Sequence, residues 1–62
     1  MIIVKVIWFN GYLERFVINV TSNDCPELEL CDEDEILVQA IRYVKRMCPE
    51  VWRVHAAVIL AR

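Results

Sequence analysis

Residues 2–9, IIVKVIWF, form a nearly unbroken run of β-branched and aromatic side chains, interrupted only by Lys5. Such side chains crowd a helix but fit a pleated strand, so the run predicts a first strand. Residues 12–21, YLERFVINVT, have the same character and predict a second strand. Between them lies Asn10-Gly11, two residues that tolerate the positive φ of a tight hairpin. The stretch SNDCPELEL then reads as a loop, because Pro26 suits neither a helix interior nor a central strand. Leu28 and Leu30 are placed to tack that loop onto the core.

The period changes after Cys31. Ile36, Leu37, Ala40, Ile41, Val44 and Cys48 recur at helical spacing and form one apolar stripe. Asp32 is the expected N-cap, with Glu35 completing a variant of the capping box, and Pro49 stops the helix. Acids at its start and Arg42, Lys45 and Arg46 near its end suit the helix dipole. Residues 51–61, VWRVHAAVILA, return to strand character. Strict alternation there puts Trp52, Val54, Ala56, Val58 and Leu60 on one face. Arg53, His55, Ala57, Ile59 and Ala61 take the other.

The order is ββαβ in a single domain over residues 1–62. A helix that crosses from the second strand to the third over one intervening strand gives an α+β fold. Its three-stranded antiparallel sheet has order 2-1-3, with one helix packed on one face. The hairpin has two candidate registers. A two-residue Asn-Gly turn groups Ile3, Lys5, Ile7 and Phe9 with Tyr12, Glu14, Phe16 and Ile18. A three-residue loop with Gly11 as a left-handed bulge instead aligns Ile2, Val4, Val6 and Trp8 with Tyr12, Phe16, Ile18 and Val20. The second register is preferred, because that face then carries Glu14 as its single charge. Ile3, Lys5, Ile7, Leu13, Arg15 and Val17 make up the opposite face, joined by Ala57 and Ile59 of the third strand.

Either register leaves large apolar groups on the face one helix cannot cover. Exposed apolar patches beyond a few hundred Å² mark interaction sites. Composition sharpens this picture, since 58% of the residues are hydrophobic and only one is Gly. A chain this short supports a small core, and such chains often add a partner subunit. Ile3, Ile7, Leu13 and Val17 are therefore the candidate apolar contacts.

Charge is unevenly spread although the net charge is only −2. Seven of the nine acidic residues fall between Asp24 and Glu35. A charged helix start explains Asp32 to Glu35 without a partner. Read as a docking patch, Asp24, Glu27, Glu29, Glu33 and Asp34 would meet a basic surface and orient the encounter. Nucleic-acid binding through Arg42, Lys45, Arg46 and Arg53 is disfavoured, because the cationic excess of such proteins is absent. The apolar start is too short to span a bilayer and lacks a small-residue cleavage site, so a complete cytoplasmic product is expected and no membrane partner. In that compartment the sequon Asn19-Val20-Thr21 is a chance match.

No catalytic set is legible. His55 is the single histidine, Ser22 has no evident base, and no glycine-rich phosphate loop is possible. Cys25, Cys31, Cys48 and His55 lack the close ligand pairs of a structural zinc site, so no metal or cofactor is expected and the cysteines read as free thiols. DEDEILVQ lacks the glycine and the ligand spacing of a calcium loop. The expectation is a non-enzymatic protein-interaction module. Compact acidic chains of this kind occur in phages and mobile elements, where they inhibit a host enzyme or defence complex. A homodimeric assembly subunit is the alternative, and a nucleic-acid accessory protein the second alternative.

Overall fold

A computed structural model describes all residues, Met1–Arg62. The strands are β1 (Ile3–Phe9), β2 (Arg15–Thr21) and β3 (Arg53–Ala61), with the helix α1 (Glu33–Met47) between β2 and β3. They form an antiparallel sheet of order β2-β1-β3. This is the ββαβ architecture with the most apolar strand in the centre. The central position shields β1 at both edges by paired neighbours, which suits the strand with the fewest polar side chains.

The hairpin register pairs Val4 with Val20, Val6 with Ile18 and Trp8 with Phe16. It follows from a three-residue tip, Gly11 to Leu13. The Asn10 N–H donates to the Glu14 carbonyl at 3.2 Å, and the Leu13 N–H donates to the Asn10 carbonyl at 3.1 Å. The left-handed residue is not Gly11, however, but Leu13, with φ 61°. Asn10 decides this. Its Oδ1 accepts from the N–H groups of Tyr12 (2.9 Å) and Glu14 (3.0 Å), while its Nδ2 donates to Glu14 Oε1 at 2.8 Å. Those bonds hold the first two tip residues in a local turn, so the positive φ falls on the third tip residue. They compensate a left-handed cost of about 1–2 kcal/mol for a residue with a Cβ. Tyr12 consequently leaves the sheet, and β2 begins at Arg15 rather than at Tyr12.

Strict alternation fails in β3. Its register against β1 shifts between Ile7 and Trp8 and again between Ile3 and Val4. Each shift inserts an extra residue, which reverses the facing of every later side chain in the strand. Val54 lies opposite Trp8, yet Ala57 lies opposite Val6 and Ile59 opposite Val4. Ala57 and Ile59 therefore pack on the helix side and do not join Ile3 and Ile7. Ala56 and Val58 take that place, paired with Ile7 and Lys5.

The segment after β2 is not a plain loop. Pro26–Leu30 form a 3₁₀ turn with the proline at its start, where a missing N–H costs nothing. Leu28 is fully buried, whereas Leu30 is 88% exposed, so one leucine tacks the segment down. Asp32 caps α1 as expected, with its side chain accepting from the Glu35 N–H at 3.0 Å. Ile36, Ala40 and Val44 of the helix close over Ile2, Val4, Val6, Trp8 and Val20 in one core cluster.

Candidate interaction surface

The helix covers one side of the sheet. On the other side β1 presents Ile3, Lys5, Ile7 and Phe9, each half-buried and alternating with buried Val4, Val6 and Trp8. β2 adds Arg15 and Val17, opposite Phe9 and Ile7, and β3 adds Arg53, Ala56 and Val58. Val17 and Val58 remain 48% and 50% exposed. An apolar band thus crosses all three strands on the open face.

One end of this face is rich in rings and guanidinium groups. Phe9 lies opposite Arg15 on one neighbouring strand and Arg53 on the other. The Arg53 guanidinium sits 5.6 Å from the Phe9 ring centroid and 5.8 Å from that of Trp52. His55 meets Phe9 edge to face at 5.7 Å between centroids. Cation–π contact holds Arg53 without using up its charge or its donors. Exposed Tyr12 and Leu13 project at the hairpin tip that continues from β1.

The structure brings Ile3, Ile7 and Val17 onto this common face, and Leu13 falls at the hairpin tip. The acidic candidates lie elsewhere. Asp24 follows β2 and accepts from the Thr21 hydroxyl at 3.1 Å. Glu27 and Glu29 sit on the 3₁₀ turn, and Glu33 and Asp34 on the first turn of α1. They belong to the layer that covers the core, so they and the apolar group do not form one surface. Arg53 takes the face that alternation with Ala57 and Ile59 predicts for it, whereas Phe9, Ala56 and Val58 are contributors that sequence reasoning did not assign there. The bulge in β3 carries Val58 there, and no glycine marks that bulge.

Other reactive groups have structural employment. Ser22 is buried and its Oγ accepts from the Ile2 N–H at 3.0 Å, which anchors the start of β1. The three cysteines are free. Cys25 donates to the Glu27 carboxylate at 3.2 Å, and Cys31 donates to the Glu27 carbonyl at 3.1 Å. Burial, then the neighbouring Glu27 carboxylate, pushes the Cys25 thiol up. The Cys31 thiol is pushed up by desolvation first and by Glu35, Asp32 and Glu27 after it. Neutral thiols are poor nucleophiles and poor metal ligands. The backbone N–H of Glu27 and the Cys25 thiol hold the Glu27 carboxyl below its ordinary range. No three His, Cys, Asp or Glu side chains converge as a metal would need. A shallow depression lined by Asp34, Glu35, Val38, Gln39 and Arg42 lies along one side of α1 and gathers no catalytic set.

Trp8 adds a feature the sequence did not disclose. Its ring stacks on Phe16 with centroids 4.5 Å apart, and its buried Nε1–H has no acceptor. Leaving such a donor unpaired costs about 1–3 kcal/mol, which the area of the indole offsets. No helix of the chain is long and apolar enough to cross a membrane. Compared with known protein families, curated proteins and solved structures, the chain matches none of them.

Proposed function

We propose that the chain acts by binding another protein through the sheet face that α1 leaves open, with Ile3, Ile7 and Val17 in the contact and Leu13 beside it. One observation carries this reading. Three strands bear large apolar side chains on both faces, and a single helix covers one of them. Full burial of such a side chain is worth about 1.5–3 kcal/mol and the part still exposed here a fraction of that, so a partner must cover several at once to offset association costs. The expected biological form is an inhibitor of a host enzyme or defence complex, working in the cytoplasm. Asp24, Glu27, Glu29, Glu33 and Asp34 would supply a separate polar contact on the other side of the molecule.

The test compares the wild-type chain with an Ile7→Ser/Val17→Ser variant shown by circular dichroism to be folded. A partner identified by co-purification and reconstituted from pure components should bind the wild type and lose the variant. Light scattering on the pure chain distinguishes a foreign partner from a second copy. A variant that keeps every partner, and is merely more soluble, refutes the reading.

A further inference from the structure

We infer that the open face is built for an acidic, apolar polypeptide segment. The inference rests on that face being a docking surface and adds the chemistry of its partner. What carries it is a sorting of charge by location. The strands contain Lys5, Arg15 and Arg53 and not one carboxylate. All nine acidic residues lie around the hairpin tip, in the segment after β2, at the helix start and in the turn before β3.

Strand alternation and pairing put all three cations on the open face. Lys5 stands between buried Val4 and Val6, and Arg15 and Arg53 flank Phe9. None of them has a carboxylate partner within the chain, whose one ion pair joins exposed Arg62 and Glu33 at 3.7 Å. The face therefore carries an apolar band, bordered on β2 by Asn19 and Thr21 opposite Lys5 and Ile3, and every charge on it is positive although the protein as a whole is acidic.

Three occupants can be weighed against that pattern. A second copy packed face to face would offer these cations no carboxylate, in an interface that excludes water. Single-stranded nucleic acid would answer the charge but needs free rings on which bases stack. Phe9 and Trp52 are both already engaged by Arg53, and Phe9 by His55 as well, which leaves Tyr12 at the hairpin tip as a single unengaged ring, too few to stack successive bases. Ile3, Ile7, Val17 and Val58 offer a base no such platform. An acidic apolar segment answers both demands, since its aliphatic groups cover the band while its carboxylates meet the cations. Arg15 and Arg53 lie two strand spacings apart, about 10 Å. The best-fitting segment places two carboxylates that far apart, with an apolar side chain between them over Phe9.

The experiment selects from a random-peptide display library on the immobilised full chain, in parallel with a random single-stranded DNA pool. Two variants with retained circular dichroism serve as controls, Lys5→Glu/Arg15→Glu/Arg53→Glu and Ile7→Ser/Val17→Ser. The expected pool is acidic and apolar. Its members should bind both variants about ten-fold or more weaker than the wild type, and should weaken as salt rises. A neutral or basic pool that still loses the Ile7→Ser/Val17→Ser variant overturns the partner chemistry and leaves the docking face standing. Preferential retention of DNA overturns it in favour of a nucleic-acid strand. A wild-type dimer in sedimentation that the Ile7→Ser/Val17→Ser change dissolves overturns it in favour of a second copy. Failure to enrich any peptide, or a pool indifferent to both variants, removes the docking face along with it.

Discussion

The two faces of this sheet are made of the same kinds of residue and meet opposite fates. Within β1, Val4 and Val6 have no exposure at all, while Ile3 and Ile7, their neighbours in sequence, remain half-buried. The difference is not hydrophobicity but cover, because α1 lies over one side and nothing in the chain lies over the other. Charge follows the same division. The covered side of the strands carries no charge, and the open side carries Lys5, Arg15 and Arg53. The lesson is that a high apolar content in a small protein overstates its core. Part of that content forms the core, and part is surface whose energy is released only on association.

The largest expected effect tests whether the two faces differ in solution as they do in the single chain. Trp8→Ala should cost about 3–5 kcal/mol, enough to unfold most of a domain this small. Val6→Ala should cost about 1–3 kcal/mol in urea denaturation, scaled from larger core truncations. Val17→Ala across the sheet, the same truncation at a half-exposed site, should cost under about 1 kcal/mol. Equal costs for Val6→Ala and Val17→Ala would mean that the open face is covered in solution, and the contrast would disappear.

The lid itself comes next. Asp32→Ala removes the acceptor for the Glu35 N–H and should lower stability by about 1 kcal/mol, measured by the same denaturation. At the edge of the open face, Leu13→Gly should raise stability by about 0.5–1 kcal/mol. Relief of the left-handed cost exceeds the added entropy of an unfolded glycine. If Leu13 touches a partner, the same change weakens binding while it stabilises the fold. That combination would explain why a strained leucine occupies this place.

The smallest effect is a pH dependence of the covered layer. The folded pKa values of Cys25 and Cys31 lie above the ordinary thiol value, so folding favours their neutral forms. That contribution is complete below the unfolded thiol pKa, about 8.5, and is lost as pH rises from there through the raised values. The melting temperature should fall more steeply over that window in the wild type than in a Cys25→Ala/Cys31→Ala variant. Parallel slopes would show that the thiols are not shielded under the lid.

Much of this architecture is legible in the residues. The run of β-branched residues in β1, the helical spacing from Ile36 to Val44, the cap at Asp32 and the three-residue hairpin tip all express local preferences. The preferred register follows from one rule, that charges avoid the core face. Three features were not legible. The left-handed position went to Leu13 because the Asn10 side chain organises the turn, a preference that outweighed the freedom of Gly11. The bulges in β3 exchanged Ala57 and Ile59 for Ala56 and Val58, since RVHAAVILA reads as apolar on both faces and alternation cannot locate an inserted residue. Pro26 opened a 3₁₀ turn rather than a loop because Leu28 could be buried beneath it.

The candidate surface divides in the same way. That a second apolar face must exist could be counted from the chain, because alternate strand residues cannot all point inward. Alternation and the preferred register already place Ile3, Ile7 and Val17 there with Lys5 and Arg15; that Ala56 and Val58 share the face in place of Ala57 and Ile59 required β3 to be paired with β1. Local sequence determined the elements and their order, because strand, helix and turn propensities act over a few residues. The tertiary structure alone decided how β3 is registered on β1 and which of its side chains share the bare face. A single inserted residue turns the rest of a strand over, and that choice depends on packing against a helix distant in sequence.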